Sequence, residues 1–251
     1  MKQQQEQPSP EDAAFIATYD ATAFERPSVA VDVVLMTLRK GRLCALLVER
    51  IEPPERGAWA LPGGFVGMEE SLDEAAQRVL QQKAGLSDVF VEQLFTFGAP
   101  SRDPRTRVIS VTYYALVELS KIESVIGKGN GRQLLDLEVD WEGEKGGPAI
   151  VKGVGGEELT IAFDHAAILG LVIKRLRGKL DYAPIGFEML PARFTLRQLQ
   201  SVHEAVLGHS LNKDSFRRRM LASDRLLATG EREQDVIHRP AELYRYLSES
   251  R

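Results

Sequence analysis

Two stretches of the sequence hold side chains able to do chemistry. The first is LPGGFVGMEESLDEAAQRVLQQKAGL, from Leu61 to Leu86. A glycine pair, Gly63 and Gly64, is followed by Glu69, Glu70 and Glu74 and then by Arg78. Carboxylates gathered on a helix can hold a divalent cation against a phosphate; the cation then neutralises charge and activates water. Further along, the carboxylates stop. On a helix Val79, Gln82 and Lys83 share one face, and that face offers an apolar group, an amide and an ammonium. The first two bring a metal no charge and the third repels it. The remaining glutamates read as solvated or capping residues.

The second stretch is NKDSFRRRMLAS, in which Asn212, Lys213, Ser215, Arg217, Arg218 and Arg219 are donors suited to phosphates and base edges. Three consecutive arginines on a helix point in different directions, so one or two of them reach a duplex. Arg239, in the loop REQDVIHRP, is a candidate for phosphate or minor-groove contact, while His238 reads as surface and Tyr244 as core. A separate group comprises Arg50, Trp59, Gly63, Gly64 and the segment SRDPRTR, with Arg102, Asp103, Arg105 and Arg107. It suits a nucleotide-like ligand whose phosphates are met by arginine and backbone amides instead of metal. Trp59 either stacks on a base or packs beside Pro62, with packing favoured, and Arg78 reads as a loop anchor.

These side chains need a scaffold, and the pattern supplies one. SVAVDVVLMTL and RLCALLVER read as strands joined by RKGR, and ERGAWALPGG as a loop. SLDE is a capping box: Ser71 opens a helix whose inward face is Leu72, Ala75, Ala76, Val79 and Leu80, and Gly85 closes it. Strands follow in VFVEQLFTFG and RVISVTYYALVEL; the Gly- and charge-rich segment from about 127 to 158 resists placement. FDHAAILGLVIKRLRGKL restores a helix with a basic C-terminal end, and DYAPIGFEMLP bridges onward. TLRQLQSVHEAVLG is a helix with Thr195 as N-cap, Leu196, Leu199, Val202, Val206 and Leu207 on one face, and Gly208 as its stop. NKDSFRRRMLAS is a second short helix with Phe216, Met220 and Leu221 inward, before two strands in RLLATGE and AELYRYL. Helix, turn, helix, hairpin is the order of a winged helix-turn-helix.

Bulk properties limit the alternatives. With 43% hydrophobic and 27% charged residues over 251 positions, the chain is an ordinary globular protein large enough for two modest domains. Its net charge of −4 argues against nonspecific nucleic-acid binding by the whole molecule. Residues 191–251 nevertheless carry 11 Lys/Arg against 8 Asp/Glu while the remainder carries 21 against 28, so any polyanion partner belongs at the C-terminal end. Cys44 is the single cysteine, which excludes an internal disulfide and reads as a small buried hydrophobe. No signal-peptide core is present and AAILGLVI is far too short to span a bilayer, so a reducing cytoplasm and no membrane are expected.

The first half of the chain resembles the Nudix hydrolase family. That family's box, G-x5-E-x7-R-E-U-x-E-E-x-G-U with U a bulky aliphatic, is matched in register by Gly64, Glu70, Arg78, Leu80, Gly85 and Leu86, and the lead-in AWALPGGFV also agrees. Its three later glutamate positions are Val79, Gln82 and Lys83. The segments IAFDHAAIL, MLPARFTLRQLQ, SFRRRMLAS and HRPAELYRY extend the likeness, over roughly Phe24 to Leu247, to the Nudix-related transcriptional regulators of the NrtR type. The extended N-terminus and the Gly-rich stretch depart from that pattern. The resemblance implies an α+β chain: a flexible segment 1–23, a Nudix-like α/β/α sandwich with a mixed sheet over 24–180, and a winged-helix DNA-binding domain over 181–251. It implies a homodimeric repressor of NAD-cofactor or sugar-metabolism genes, binding double-stranded operator DNA and released by ADP-ribose or a related nucleotide or sugar. Neither a cofactor nor a metal is expected, and no catalytic residue. The alternative reading is an active Nudix hydrolase of ADP-ribose or a related nucleoside diphosphate derivative, using Glu70 and Arg78.

Overall fold

The computed structural model of the protein describes residues 9–87, 89–126, 131–180, 183, 185–234, 237 and 239–247. β1 (Ser28–Arg39) and β2 (Arg42–Glu49) form the expected antiparallel hairpin. Its two-residue turn has positive φ at both Lys40 (51°) and Gly41 (77°), the mirror-image turn that follows the twist of paired strands. Along β1, Val31, Val33 and Leu35 face one side of the sheet and Val34 and Met36 the other, and all five are buried. That alternation makes β1 the central strand of a two-sided core.

The sheet runs β5 (Glu92–Phe97), β6 (Val108–Leu116), β1, β2, β7 (Arg132–Glu138), β8 (Ile150–Lys152). β6 is parallel to β1 and the other pairs are antiparallel, so the sheet is mixed. Two short strands fill the gap where β1 and β2 part: β3 (Trp59–Ala60) pairs with the last residues of β2, and β4 (Gly63–Phe65) with the first half of β1. They lie in the stretch expected to be loop, and β7 and β8 lie in the segment that pattern alone does not place. Residues 127–130 of that segment fall outside the described residues.

Helix α2 (Leu72–Val79) covers one face of the sheet. Ser71 Oγ accepts from the Glu74 amide at 3.2 Å and Glu74 returns the bond to the Ser71 amide at 2.7 Å, which completes the capping box. A π turn, Leu80–Ala84, then widens the helix before Gly85 ends it at φ 78°. A short helix, α3 (Leu119–Glu123), follows β6. α4 (His165–Lys179) covers the opposite face with Ile168, Leu169, Val172, Ile173 and Leu176. Each of those side chains contributes about 1.5–3 kcal/mol of burial. The α/β/α sandwich is thus present. Cys44 is fully buried as expected; its thiol also donates to Asp136 at 3.1 Å, and burial pushes its pKa up to about 12.

Part of the N-terminal segment has local structure. Pro10–Thr18 forms a helix, α1, capped by Ser9, with Pro10 preset for its first turn. None of its residues is buried, so it gains little from packing on the rest of the protein.

The C-terminal elements follow the expected order: α5 (Leu196–Leu207), α6 (Lys213–Leu221), β9 (Leu226–Arg232) and β10 (Glu242–Tyr246), the two strands pairing antiparallel. Thr195 does cap α5, and Gln198 completes the box. Phe216 is buried edge-on against His203 at 5.1 Å, and Tyr244 is in the core. Leu221, expected inward, is 44% exposed; it ends α6, past the last turn that packs on α5. A single apolar cluster runs from Val34, Leu135 and Leu176 to Leu199, Val202 and Phe216, so the two halves share a core.

Candidate ligand cleft and nucleic-acid interface

A cleft of about 210 Å³ opens where β1, β4, the loop after β5 and the start of α4 meet; Asp32, Arg50, Phe65, Arg105, Phe163 and His165 are among its lining. At its floor Asp32 is a hub. Ser110 Oγ donates to it at 2.5 Å, the Arg102 guanidinium approaches at 3.4 Å, and His165 Nε2 lies at 3.7 Å. The Leu61 amide donates to His165 Nδ1 at 2.9 Å, so the imidazole carries its proton on Nε2, facing Asp32. Burial holds its pKa below the ordinary histidine value, partly opposed by Asp32 and Asp164, and it is neutral.

Arg102 is held by carboxylates. Its side chain is 5% exposed, with Nε and Nη2 on the Asp164 carboxylate at 2.9 and 2.7 Å. Asp164 precedes α4 yet makes no side-chain cap, because its carboxylate is turned to Arg102. Arg105 forms a similar fork on Asp103 but stays half exposed, with its guanidinium 5.6 Å from the Phe65 ring and 5.9 Å from that of Phe163. Arg50 also lies over the Phe163 ring, 4.7 Å from its centroid, and donates to the Pro54 and Glu52 carbonyls. It makes no ion pair with a described residue. Phe163 holds φ 53°, an uncommon conformation for a bulky residue, and its amide donates to Glu55 Oε2 at 2.7 Å. Gly63 is required here: a Cβ would sit 2.3 Å from Asp32 Oδ1. Two rings and two guanidinium planes thus flank an opening whose floor is a closed polar network.

Of the residues singled out from sequence, Arg50, Gly63, Gly64, Arg102, Asp103 and Arg105 come together in this cleft. Trp59 does not: it is 8% exposed in the main core, and its backbone ties β3 to Thr160 and Ala162. Arg107 bonds carbonyls at Ala99 and Val108. Asp32, Phe65, Phe163, Asp164 and His165 escaped sequence reading. The signals that mark them are a carboxylate inside the apolar run SVAVDVV and the FDH triplet at a helix start.

The box helix lies beside the cleft. Arg78 is a loop anchor, gripping Glu70 through Nε at 2.9 Å and Nη2 at 2.5 Å and donating to the Phe65 carbonyl at 2.9 Å. Glu70 also accepts from the Gly67 amide at 2.6 Å, and Arg78 foremost holds its pKa down at about 2. Val79, Gln82 and Lys83 do not share one exposed face. Val79 is buried behind Gly64, at van der Waals distance from where a Cβ would stand, whereas Gln82 and Lys83, beyond the start of the π turn, reach solvent. The magnesium site of the Nudix fold requires anionic oxygens from these positions, and these residues do not fit it.

In the winged helix, Lys213, Ser215, Arg217, Arg218 and Arg219 are exposed on α6 and Asn212 on its N-cap. Asn212 Oδ1 accepts from the Ser215 amide at 3.0 Å, so this residue caps the helix whatever else it touches. Arg217 lies near the Tyr244 phenol, and Arg219 sits 5.7 Å from the Phe216 ring. Neither Arg217 nor Arg218 is ion-paired with a described residue. Arg239 is exposed beyond β9; His238 lies outside the described residues.

A sensing-type cleft joined to a basic winged helix defines the class of ligand-responsive DNA-binding proteins. The family model described as NUDIX domain matches residues 26–137, and the one described as NrtR DNA-binding winged helix domain matches 186–246. The ADPR responsive transcriptional repressor NtrR of Acinetobacter baylyi is 33% identical over 237 residues, 93% of this chain and 87% of that protein. The crystal structure of Shewanella oneidensis NrtR complexed with a 27mer DNA aligns with TM-score 0.71 at 32% identity, over 87% of this chain and 93% of that one. A MutT/nudix family protein from Enterococcus faecalis aligns with TM-score 0.74 at 25% identity, over 96% and 94%. The chain belongs to the NrtR family of Nudix-related transcriptional regulators.

Proposed function

We propose that the protein is a repressor whose Nudix cleft senses ADP-ribose, or a related nucleotide or sugar, and whose winged helix binds operator DNA as a homodimer in the cytoplasm. Residues 24–180 form the sensing unit and 181–251 the reading unit. The observation that carries this proposal is the pairing of exposed, un-ion-paired Arg217 and Arg218 on α6 with a cleft that keeps its arginines and rings while its helix lacks metal-holding carboxylates. The Acinetobacter relative, an ADPR-responsive repressor by name, supports the ligand class and the sign.

The side chains divide the work. Phe163 and Phe65, flanked by Arg50 and Arg105, offer flat surfaces for a base, and Arg50 supplies charge to a phosphate. Arg102, Asp103 and Gly63 act by holding the cleft in shape. Asn212, Lys213, Ser215, Arg217, Arg218, Arg219 and Arg239 form the DNA face. The unit hydrolyses no phosphate bond, because Val79, Gln82 and Lys83 cannot gather magnesium against a diphosphate. Its regulated genes concern NAD-cofactor or sugar metabolism. A gel shift on the DNA upstream of the protein's own gene tests the proposal: sequence-preferring, salt-sensitive binding that ADP-ribose weakens is expected, and no such binding refutes it.

A further inference from the structure

α4 connects the two sites. Its 15 residues span about 22 Å. At one end, Asp164 and His165 hold Arg102, the Leu61 amide and Asp32 at the floor of the cleft. At the other, Arg177 points into the junction with the winged helix and is only 9% exposed. Its Nε donates to the Val206 carbonyl at 2.8 Å, and its Nη1 to the Trp141 and Gly143 carbonyls at 3.2 and 3.0 Å. The guanidinium also lies 4.6 Å from the Trp141 ring.

Val206 belongs to the last turn of α5, and its carbonyl lies at the negative end of that helix. Arg177 therefore caps the first helix of the DNA-binding unit from within the sensing unit. Gly208, at φ 80°, gives it room: a Cβ there would stand 3.0 Å from Arg177 Nη2. Among the described residues Arg177 has no carboxylate partner, and burial lowers its pKa. The surrounding junction, Ile173 and Leu176 against Leu199, Val202 and Val206, is apolar and could slide by small steps. Three directional hydrogen bonds to both sides are what fix its register. A groove of about 1340 Å³ lies beside the contact, with Trp141, Arg177, Glu204 and Gly208 in its lining.

We propose that Arg177 is the positioning residue through which ligand binding in the cleft is transmitted to the DNA-binding helices: a shift of the first turn of α4 at Asp164 moves Arg177, and Arg177 resets α5 and with it α6. This rests on the function proposed above.

The test uses the full chain, with ADP-ribose and operator DNA as probes. Three quantities are measured for the wild type, Arg177→Lys and Arg177→Met: ADP-ribose affinity by calorimetry, DNA affinity alone, and DNA affinity with ADP-ribose saturating. Coupling between sites is typically about 5–150-fold. Both variants are expected to bind ADP-ribose within about twofold of wild type, while the ligand's effect on DNA affinity falls to under about twofold. Retained coupling in either folded variant overturns the proposal. If both variants fail to fold, hydrogen exchange on the wild type decides: ADP-ribose must change protection at 141–143 and 204–208, and no change there overturns it. A wild type that binds neither ADP-ribose nor DNA contradicts the functional reading itself, a failure seen before any variant is made.

Discussion

The arginines of the sensing unit and those of α6 are the same residue put to opposite uses. Around the cleft, Arg78 is held by Glu70, Arg102 by Asp164 and Asp32, and Arg105 by Asp103. On α6, Arg217 and Arg218 have no carboxylate within ion-pair distance among the described residues. A paired guanidinium shapes a loop, because its planar fork fixes two groups at once. An unpaired one keeps its charge for a polyanion and makes binding sensitive to salt. Arg50 differs from these three: it donates to the Pro54 and Glu52 carbonyls and is ion-paired with no described residue.

The largest effect expected from this contrast is on stability. Arg102→Ala strands two carboxylates in a nearly closed site and should cost about 3–5 kcal/mol, read by urea unfolding. A loss under about 1 kcal/mol would mean that the fork is not structural. Arg217→Ala with Arg218→Ala should leave unfolding unchanged but weaken operator binding by about 5–150-fold, with a shallower dependence on salt. Equal salt slopes for variant and wild type would remove α6 from the DNA face. In the cleft, Phe163→Ala should raise the Kd for ADP-ribose by about 5–30-fold without changing DNA affinity in its absence, as calorimetry and anisotropy together can check.

The smallest effect concerns Glu70. Its pKa is depressed to about 2, so the Arg78–Glu70 contact contributes stability above the ordinary carboxylate value of 4.5 and loses it as pH falls toward 2. The Tm difference between wild type and Glu70→Gln should therefore shrink across that window. A difference independent of pH would deny the ion pair a role in holding the loop.

What the sequence disclosed follows the same division between local and distant. The β1–β2 hairpin, the Ser71 capping box, the Gly85 stop and the helix order of the C-terminal unit are written within a few residues of each element, and all stand in the structure. β3 and β4 are two or three residues long and exist only because β2 and β1 are beside them, so no local period marks them. Arg102 reads as a ligand residue until Asp164, 62 positions away, is seen to hold it. For Trp59, where sequence left stacking and packing open with packing favoured, the core closes over the ring. Asp32 and His165 are legible only as polar residues in apolar company; that they meet is a property of the fold.

The most direct test is a titration of fluorescent operator DNA with the full-length protein at fixed salt, repeated with ADP-ribose and without magnesium. A cleft that senses and a helix that reads require a parallel shift of the curve to weaker binding while the ADP-ribose is recovered intact. An unshifted curve, or nucleotide consumed when magnesium is restored, would contradict the account.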